Sequence, residues 1–325
     1  MPTDMIELAR NVAAGDRRAL ARAITLVESG RANHRSDAMT LLDLLAFDGK
    51  QAICIGLSGT PGVGKSTFIE GFGLMLTSIG HRVAVLAVDP SSVRSGGSIL
   101  GDKTRMDLLA RDPNAFIRPS PSQTQLGGVA RRTREAVALC EAAGYDIVLI
   151  ETVGVGQSET VVAHMSDLFL LLLAPAGGDE LQGVKRGIME IADIILVNKA
   201  DGDLKPQALR TCADYAGALR LLRKRKQDPE GFPKALIVSA LETVGIADAW
   251  KQMQELISWR RDEGVWDQSR AAQARYWFAE EVRLQLMARI ANDPKLLKKM
   301  VILEKEVGAG RMSPAAAAAE VVSQT

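Results

Sequence analysis

Cysteine is scarce in this chain and badly placed for cross-linking. Cys54, Cys140 and Cys212 are the three present in 325 residues, far apart and with no CxxC or CxxH spacing. That excludes a disulfide framework and a sequence-local zinc site. A surplus of one charge sign is also missing. Forty basic residues face 39 acidic ones, for a formal net charge of +1, so no global electrostatic case exists for nucleic acid or an anionic membrane. The longest apolar run, Leu168 to Ala176, has nine residues, against the roughly 20 that span a bilayer. The opening residues MPTDMIELARN carry acids early and lack the basic-then-apolar order of a secretory leader. No internal repeat is visible. What is present, 47% hydrophobic and 24% charged residues, is ordinary globular composition. These readings predict a cytoplasmic protein of two domains, or of one large domain with additions.

Residues 1–48 read as a helical extension. Leu8, Val12, Leu20, Ile24 and Val27 recur at three- and four-residue steps. Asp16 offers an N-cap, Gly30 a stop, and Ser36 a cap for a helix carrying Leu41, Leu42, Leu44 and Leu45. Over 49–265 the rhythm changes to short apolar runs at Ala52–Leu57, Val83–Val88, Ile147–Ile150, Leu168–Leu173, Ile194–Val197 and Leu236–Val238, with helical stretches between several of them. Continuous apolar strands alternating with helices predict an α/β fold with a mostly parallel sheet covered on both faces. From 266 to 325 the strand signal vanishes. An amphipathic pattern over 269–306 is broken at Asn292-Asp293-Pro294, and Ser313-Pro314 starts an alanine-rich last helix.

The first predicted strand runs into Gly59-Thr60-Pro61-Gly62-Val63-Gly64-Lys65-Ser66-Thr67, which satisfies G-x-x-x-x-G-K-[ST]. The glycines let backbone N–H groups converge on phosphates. Lys65 can reach the β- and γ-oxygens, and the Ser66 hydroxyl can ligate magnesium. A P-loop NTPase is therefore expected. Asn198-Lys199-Ala200-Asp201 follows another strand. The Asp201 carboxylate can accept the N1–H and 2-amino protons of guanine, which adenine lacks; Asn198 can bond the base edge, and the stem of Lys199 can cover the ring. Ser239-Ala240-Leu241 suits a loop whose backbone amide approaches the guanine oxygen.

Glu151 leaves the strand ending at Ile150 and can hold magnesium directly or through water, while the Gly154 amide can sense the γ-phosphate. Val155 stands where common GTPases carry a water-positioning glutamine, and Gln157 lies two residues further on, so slow intrinsic hydrolysis is expected. Asp89 and Asp102 are further candidates for the magnesium shell or for orienting water. With Lys65 and Glu151 they make up the expected catalytic set.

These motifs, with the runs VDPSS…GGSILGDKTRM at 88–106, ETVGVGQSE at 151–159 and APAGGDELQGVKRGIMEIAD at 174–193, make the chain resemble the MeaB/ArgK-type GTPases over nearly its whole length. Those are chaperones of adenosylcobalamin-dependent methylmalonyl-CoA mutase, in the signal-recognition and metallochaperone class of P-loop proteins. The resemblance implies nucleotide binding at Gly59 to Thr67, Asn198, Lys199, Asp201 and Ser239 to Leu241, with magnesium on Ser66, Asp89, Asp102 and Glu151. It also implies switch segments at about 91–106, 154–160 and 177–188, the last holding Gly177, Gly178, Asp179, Glu180, Gln182 and Lys185. It further implies a homodimer formed through the C-terminal arm, and GTP-driven gating of cobalamin loading onto the mutase. The three histidines, His34, His81 and His164, are isolated, so no tightly held cobalamin is expected. A nickel-insertion GTPase, a kinase or ATPase for basic amino-acid transport, and a nucleotide-locked scaffold with negligible turnover are the alternatives. The first would need thiol or imidazole ligands beside the switch segments; the second is opposed by the guanine-type motif.

Overall fold

The computed structural model describes residues 2–46, 51–88, 106–119, 126–152, 158–175, 186–222, 225 and 227–323. The chain divides into two compact units, Met1–Arg270 and Ala271–Thr325. The first is built on seven strands: β1 (Ile53–Gly59), β2 (Val83–Val88), β3 (Ala115–Pro119), β4 (Ile147–Thr152), β5 (Leu168–Leu173), β6 (Ile194–Val197) and β7 (Lys234–Ile237). They lie in the order β3-β2-β4-β1-β5-β6-β7, and every pairing is parallel. The apolar runs predicted as strands all fall in this sheet, with ends shifted by at most two residues at β1, β4 and β7. β3 is the strand that the periodicity does not predict. It is five residues long, ends on a proline and, among the described residues, pairs only with β2, and proline is tolerated at a sheet edge, where one side of the strand need not complete a ladder.

Helix α4 (Lys65–Ser78) follows β1, and α10 (Ile246–Asp262) follows β7. Phe68, Phe72 and Leu76 of the first share one core with Trp250, Met253 and Ile257 of the second and with the β1 and β5 side chains Ile55, Leu57, Leu170 and Leu172. Each such side chain, fully buried, contributes about 1.5–3 kcal/mol. The helix that carries the phosphate-binding sequence is thus held from both sides.

Helices α1 (Pro2–Ala13), α2 (Arg17–Glu28) and α3 (Ala32–Leu45) belong to the same unit. They pack toward α6 (Leu126–Ala142). Arg35 donates to Glu135 across 2.6 Å, and Arg118 of β3 pairs with Glu28. Asp16 caps α2 as expected, accepting from the Ala19 amide at 2.6 Å. The cap expected at Ser36 is not formed: α3 already begins at Ala32, so Ser36 is an interior residue whose carbonyl accepts from Thr40.

At the N-terminal end of the sheet, buried ions hold the strands. Asp167 accepts from the Cys54 amide and from Arg270, both at 2.8 Å. Asp193 accepts from the Phe169 amide at 2.8 Å and from Arg260 at 2.6 Å. Burial pushes the Asp167 and Glu141 carboxyls above the usual range, with Arg270 opposing the shift in both.

Helix α11 runs Val265–Asn292 and carries the chain into the second unit. There α12 (Pro294–Gly308) and α13 (Pro314–Val322) follow. Asp293 caps α12 and Ser313 caps α13, each just before a proline in the first turn. Leu303, Ala317 and Val321, joined by Ile290 and Val307, form a small core. Phe278, Val282 and Leu286, spaced by four residues on α11, are exposed, as are Leu297, Val301 and Ile302 of α12. No helix among the described residues is long and apolar enough to cross a membrane.

Candidate nucleotide site

The site lies at the C-terminal ends of the central strands, where the order of connections reverses around β1. The loop between β1 and α4 needs glycine for two reasons. Gly62 and Gly64 adopt φ of 83° and 90°, which side chains disfavour. A Cβ on Gly64 would also stand 2.7 Å from the Asn198 amide nitrogen, and one on Gly59 would stand 2.4 Å from the Leu172 carbonyl. Val63 is buried in the core, while Thr60, Pro61 and Gly62 form an exposed rim. Lys65 is buried, and its Nζ donates to the Gly59 carbonyl at 2.7 Å and the Thr60 carbonyl at 3.3 Å. Burial lowers its pKa, and the Glu151 carboxylate works against that shift. Ser66 is half-buried and Thr67 exposed in the first turn of α4.

Glu151 is buried near the end of β4, in register with Leu57 of β1 and Ala87 of β2. Thr152 follows it, and its hydroxyl donates to Ser58 Oγ at 3.1 Å. Among the described residues no three His, Cys, Asp or Glu side chains gather as a metal cage. One hydroxyl (Ser66) and one carboxylate (Glu151) beside a phosphate loop form instead a donor set that fits magnesium, which keeps several waters and takes few protein ligands. Asp89, Asp102, Gly154, Gln157, Gly177, Gly178, Asp179, Glu180, Gln182 and Lys185 lie outside the described residues.

The base-side loops show more than the motifs convey. Asn198, expected at the base edge, is 1% exposed. Its Nδ2 donates to the Val63 carbonyl at 2.8 Å, and its Oδ1 accepts from the Ala240 amide at 2.9 Å. The side chain ties the phosphate loop to the 239–241 loop, which leaves the second Nδ2 proton as its remaining donor. The reason is positional: Asn198 leaves β6 between those two loops, where a buried amide must satisfy both ends. Lys199 has φ of 58°, a strained conformation for a residue with a side chain, and it turns the chain toward Asp201. Ser239 donates to the Asp201 carboxylate and accepts from the Glu242 amide, so the carboxylate is oriented from behind. Ser239 and Ala240 are buried, whereas Leu241 is 78% exposed. The Thr152–Ser58 bond and the Val63 carbonyl that holds Asn198 are parts of this hydrogen-bonding that the motifs do not name; the signal for the first is a hydroxyl residue at the end of an otherwise apolar strand.

This arrangement is a phosphate loop locked to a guanine-type base loop at one sheet edge. The sequence from 20 to 295 matches the family described as methylmalonyl Co-A mutase-associated GTPase MeaB. The chain belongs to the MeaB family. It is 52% identical over 317 residues to a putative GTPase of Caulobacter vibrioides, covering 98% of this chain and 96% of that one. It is 49% identical over 314 residues to the mouse methylmalonic aciduria type A homolog, covering 94% of this chain and 75% of that one. A crystal structure titled LAO/AO transport system kinase superposes with a TM-score of 0.76 at 36% identity, covering 99% and 98% of the two chains. The MeaB-family chain is thus a GTPase with the P-loop α/β fold, as the motifs predict.

Proposed function

We propose that this MeaB-family GTPase acts as a nucleotide-controlled chaperone of methylmalonyl-CoA mutase, gating the entry of adenosylcobalamin and protecting or reactivating the enzyme. The observation that carries the reading is the family match over residues 20–295, whose description names the mutase. The fold supports it. β2, β4 and β5 end at the sheet edge that bears the phosphate loop, so the chain leaves that edge into all three segments expected to switch. Asp201, oriented by Ser239, accepts the guanine N–H groups. With the Ala240 amide given to Asn198, the Leu241 amide is the one that reaches the base oxygen. Exposed Leu241 and the Lys199 stem cover the ring faces. Lys65 holds the β- and γ-oxygens, while Ser66 and Glu151 seat magnesium, with Asp89 and Asp102 completing the shell. Magnesium, when bound, neutralises charge on the transferred phosphoryl group. Hydrolysis by the chain alone is slow and is accelerated by the partner.

The exposed apolar stripes of α11 and α12 are the surface through which two copies pair. The nickel-insertion alternative is disfavoured by the thiols: Cys54 and Cys140 are buried, Cys212 is half-buried, and among the described residues no three His, Cys, Asp or Glu side chains gather to hold a metal. Affinity capture with the chain loaded with a non-hydrolysable GTP analogue, with GDP or with nothing tests the reading. Nucleotide-dependent recovery of the mutase is expected; recovery of a different enzyme and no mutase would overturn it.

A further inference from the structure

The main-chain register between β1 and β4 runs from Ile53 opposite Ile147 to Leu57 opposite Glu151. One step beyond, the strands are joined by side chains. Thr152 Oγ1 donates to Ser58 Oγ at 3.1 Å and lies 3.4 Å from the Leu57 carbonyl. Both residues are buried, Thr152 at 0% and Ser58 at 2% exposure. A valine would fill the threonine site without a hydroxyl to desolvate, so packing alone does not call for this pair.

The neighbours of the pair give it a task. Ser58 precedes Gly59, whose carbonyl receives the Lys65 ammonium at 2.7 Å. Thr152 follows Glu151, whose carboxylate acts on Lys65. The hydroxyl bond therefore closes a short circuit: Lys65 to Gly59, Ser58 to Thr152, and Glu151 back to Lys65. It ties β1 to β4 one residue past their ladder, beside both charges, while Ser58 is also carried by β5 and Thr152 by β2.

We infer that the Thr152–Ser58 pair is a positioning device for GTP hydrolysis, fixing the Glu151 carboxylate relative to Lys65 and so the seat of the γ-phosphate and its magnesium. This rests on Glu151 belonging to the magnesium shell. GDP lacks the γ-phosphate, so the effect falls chiefly on steps that involve the γ-phosphate and the metal.

The test uses the full chain with T152V, T152S, S58A, the T152V/S58A double and E151Q. Single-turnover hydrolysis, the magnesium concentration for half-maximal rate, GDP affinity and thermal melting are measured for each. T152V and S58A are each expected to slow hydrolysis about tenfold and raise the magnesium requirement several-fold, with GDP affinity within about twofold of the parent. T152S restores the rate to within about threefold, and the double variant is no more than about twofold worse than either single, because both break one bond. The inference is overturned if T152V hydrolyses GTP like the parent, if T152S is as impaired as T152V, or if GDP affinity falls as far as the rate. Should T152V not fold, the S58A and T152S pair decides in the same way. A normal E151Q would refute the magnesium reading itself, whereas a normal T152V beside an impaired E151Q refutes only the positioning role.

Discussion

Replacing Asn198 by alanine separates a base contact from a structural tie. In the folded chain the amide spends one proton on the Val63 carbonyl at 2.8 Å and its oxygen on the Ala240 amide at 2.9 Å, at 1% exposure. Alanine leaves both backbone groups buried and unpaired, each costing about 1–3 kcal/mol. Water entering the vacated space recovers part of that, so a loss of about 2–4 kcal/mol is expected in the nucleotide-free protein. Guanidinium unfolding without nucleotide measures it through the transition midpoint. GDP affinity should fall by about two orders of magnitude, since about 2.7 kcal/mol of loop alignment is lost. N198D should do no better on the phosphate side, because a carboxylate can accept from Ala240 but faces the Val63 carbonyl with no proton to give. The reasoning is refuted if N198A unfolds within about 0.5 kcal/mol of the parent while GDP binding collapses; Asn198 would then be a base ligand and nothing more.

If Asp201 accepts the guanine N–H groups as proposed, D201N removes one of its two acceptor oxygens. A preference for GTP over ATP of up to about 10⁴–10⁵-fold should shrink at least about a hundredfold in competition binding; an unchanged preference would place recognition elsewhere. R270M strips the cation from Asp167, which is 4% exposed, and should cost about 3–5 kcal/mol in denaturant unfolding, with D167N added to it recovering part; strictly additive losses would contradict a pair. Burial holds Glu141 above its unfolded value, so the folded chain binds its proton first as pH falls. Its contribution to stability therefore grows as pH drops through the range just above the ordinary carboxylate value and is lost as pH rises. E141Q should flatten that part of the stability–pH curve, and an unchanged slope would reject the assignment. F278E/L286E, on residues 71% and 49% exposed, should yield a folded monomer by light scattering whose melting no longer depends on protein concentration; a persistent dimer would exclude the α11 stripe.

Sequence carries some of these features and hides others for physical reasons. Strands buried on both faces are runs of Val, Ile and Leu, so β2, β5 and β6 are visible to the residue. Edge strand β3, with AFIRP, has no such run, and among the described residues it meets a neighbouring strand on one side alone. Glycines and the lysine of the phosphate loop are legible because their conformations and charge are needed locally. The roles of Asn198, Ser58 and Thr152 are not, because each is set by a partner 42 to 135 positions away, and no local spacing records which strand lies beside which. The cap misplaced to Ser36 has the opposite origin: serine is a good cap, but α3 starts where the turn after Ser29 releases the chain.

The two ends of the sheet are held by different chemistry, and the difference follows from what each end must accommodate. At the N-terminal ends of β1, β5 and β6 the fixtures are ions: Asp167 with Arg270, and Asp193 with Arg260 and Arg225. At the C-terminal ends they are mostly neutral: Asn198 between Val63 and Ala240, Thr152 on Ser58, and Ser239 behind Asp201. A triphosphate with magnesium brings large charges into that edge, and any further buried ion there would act on it at close range through a low dielectric. Neutral hydrogen bonds fix the loops with little field of their own. Among the described residues, Lys65 rests on the Gly59 and Thr60 carbonyls and Asp201 on the Ser239 hydroxyl, so two of the charges proposed to meet the nucleotide are held by uncharged neighbours.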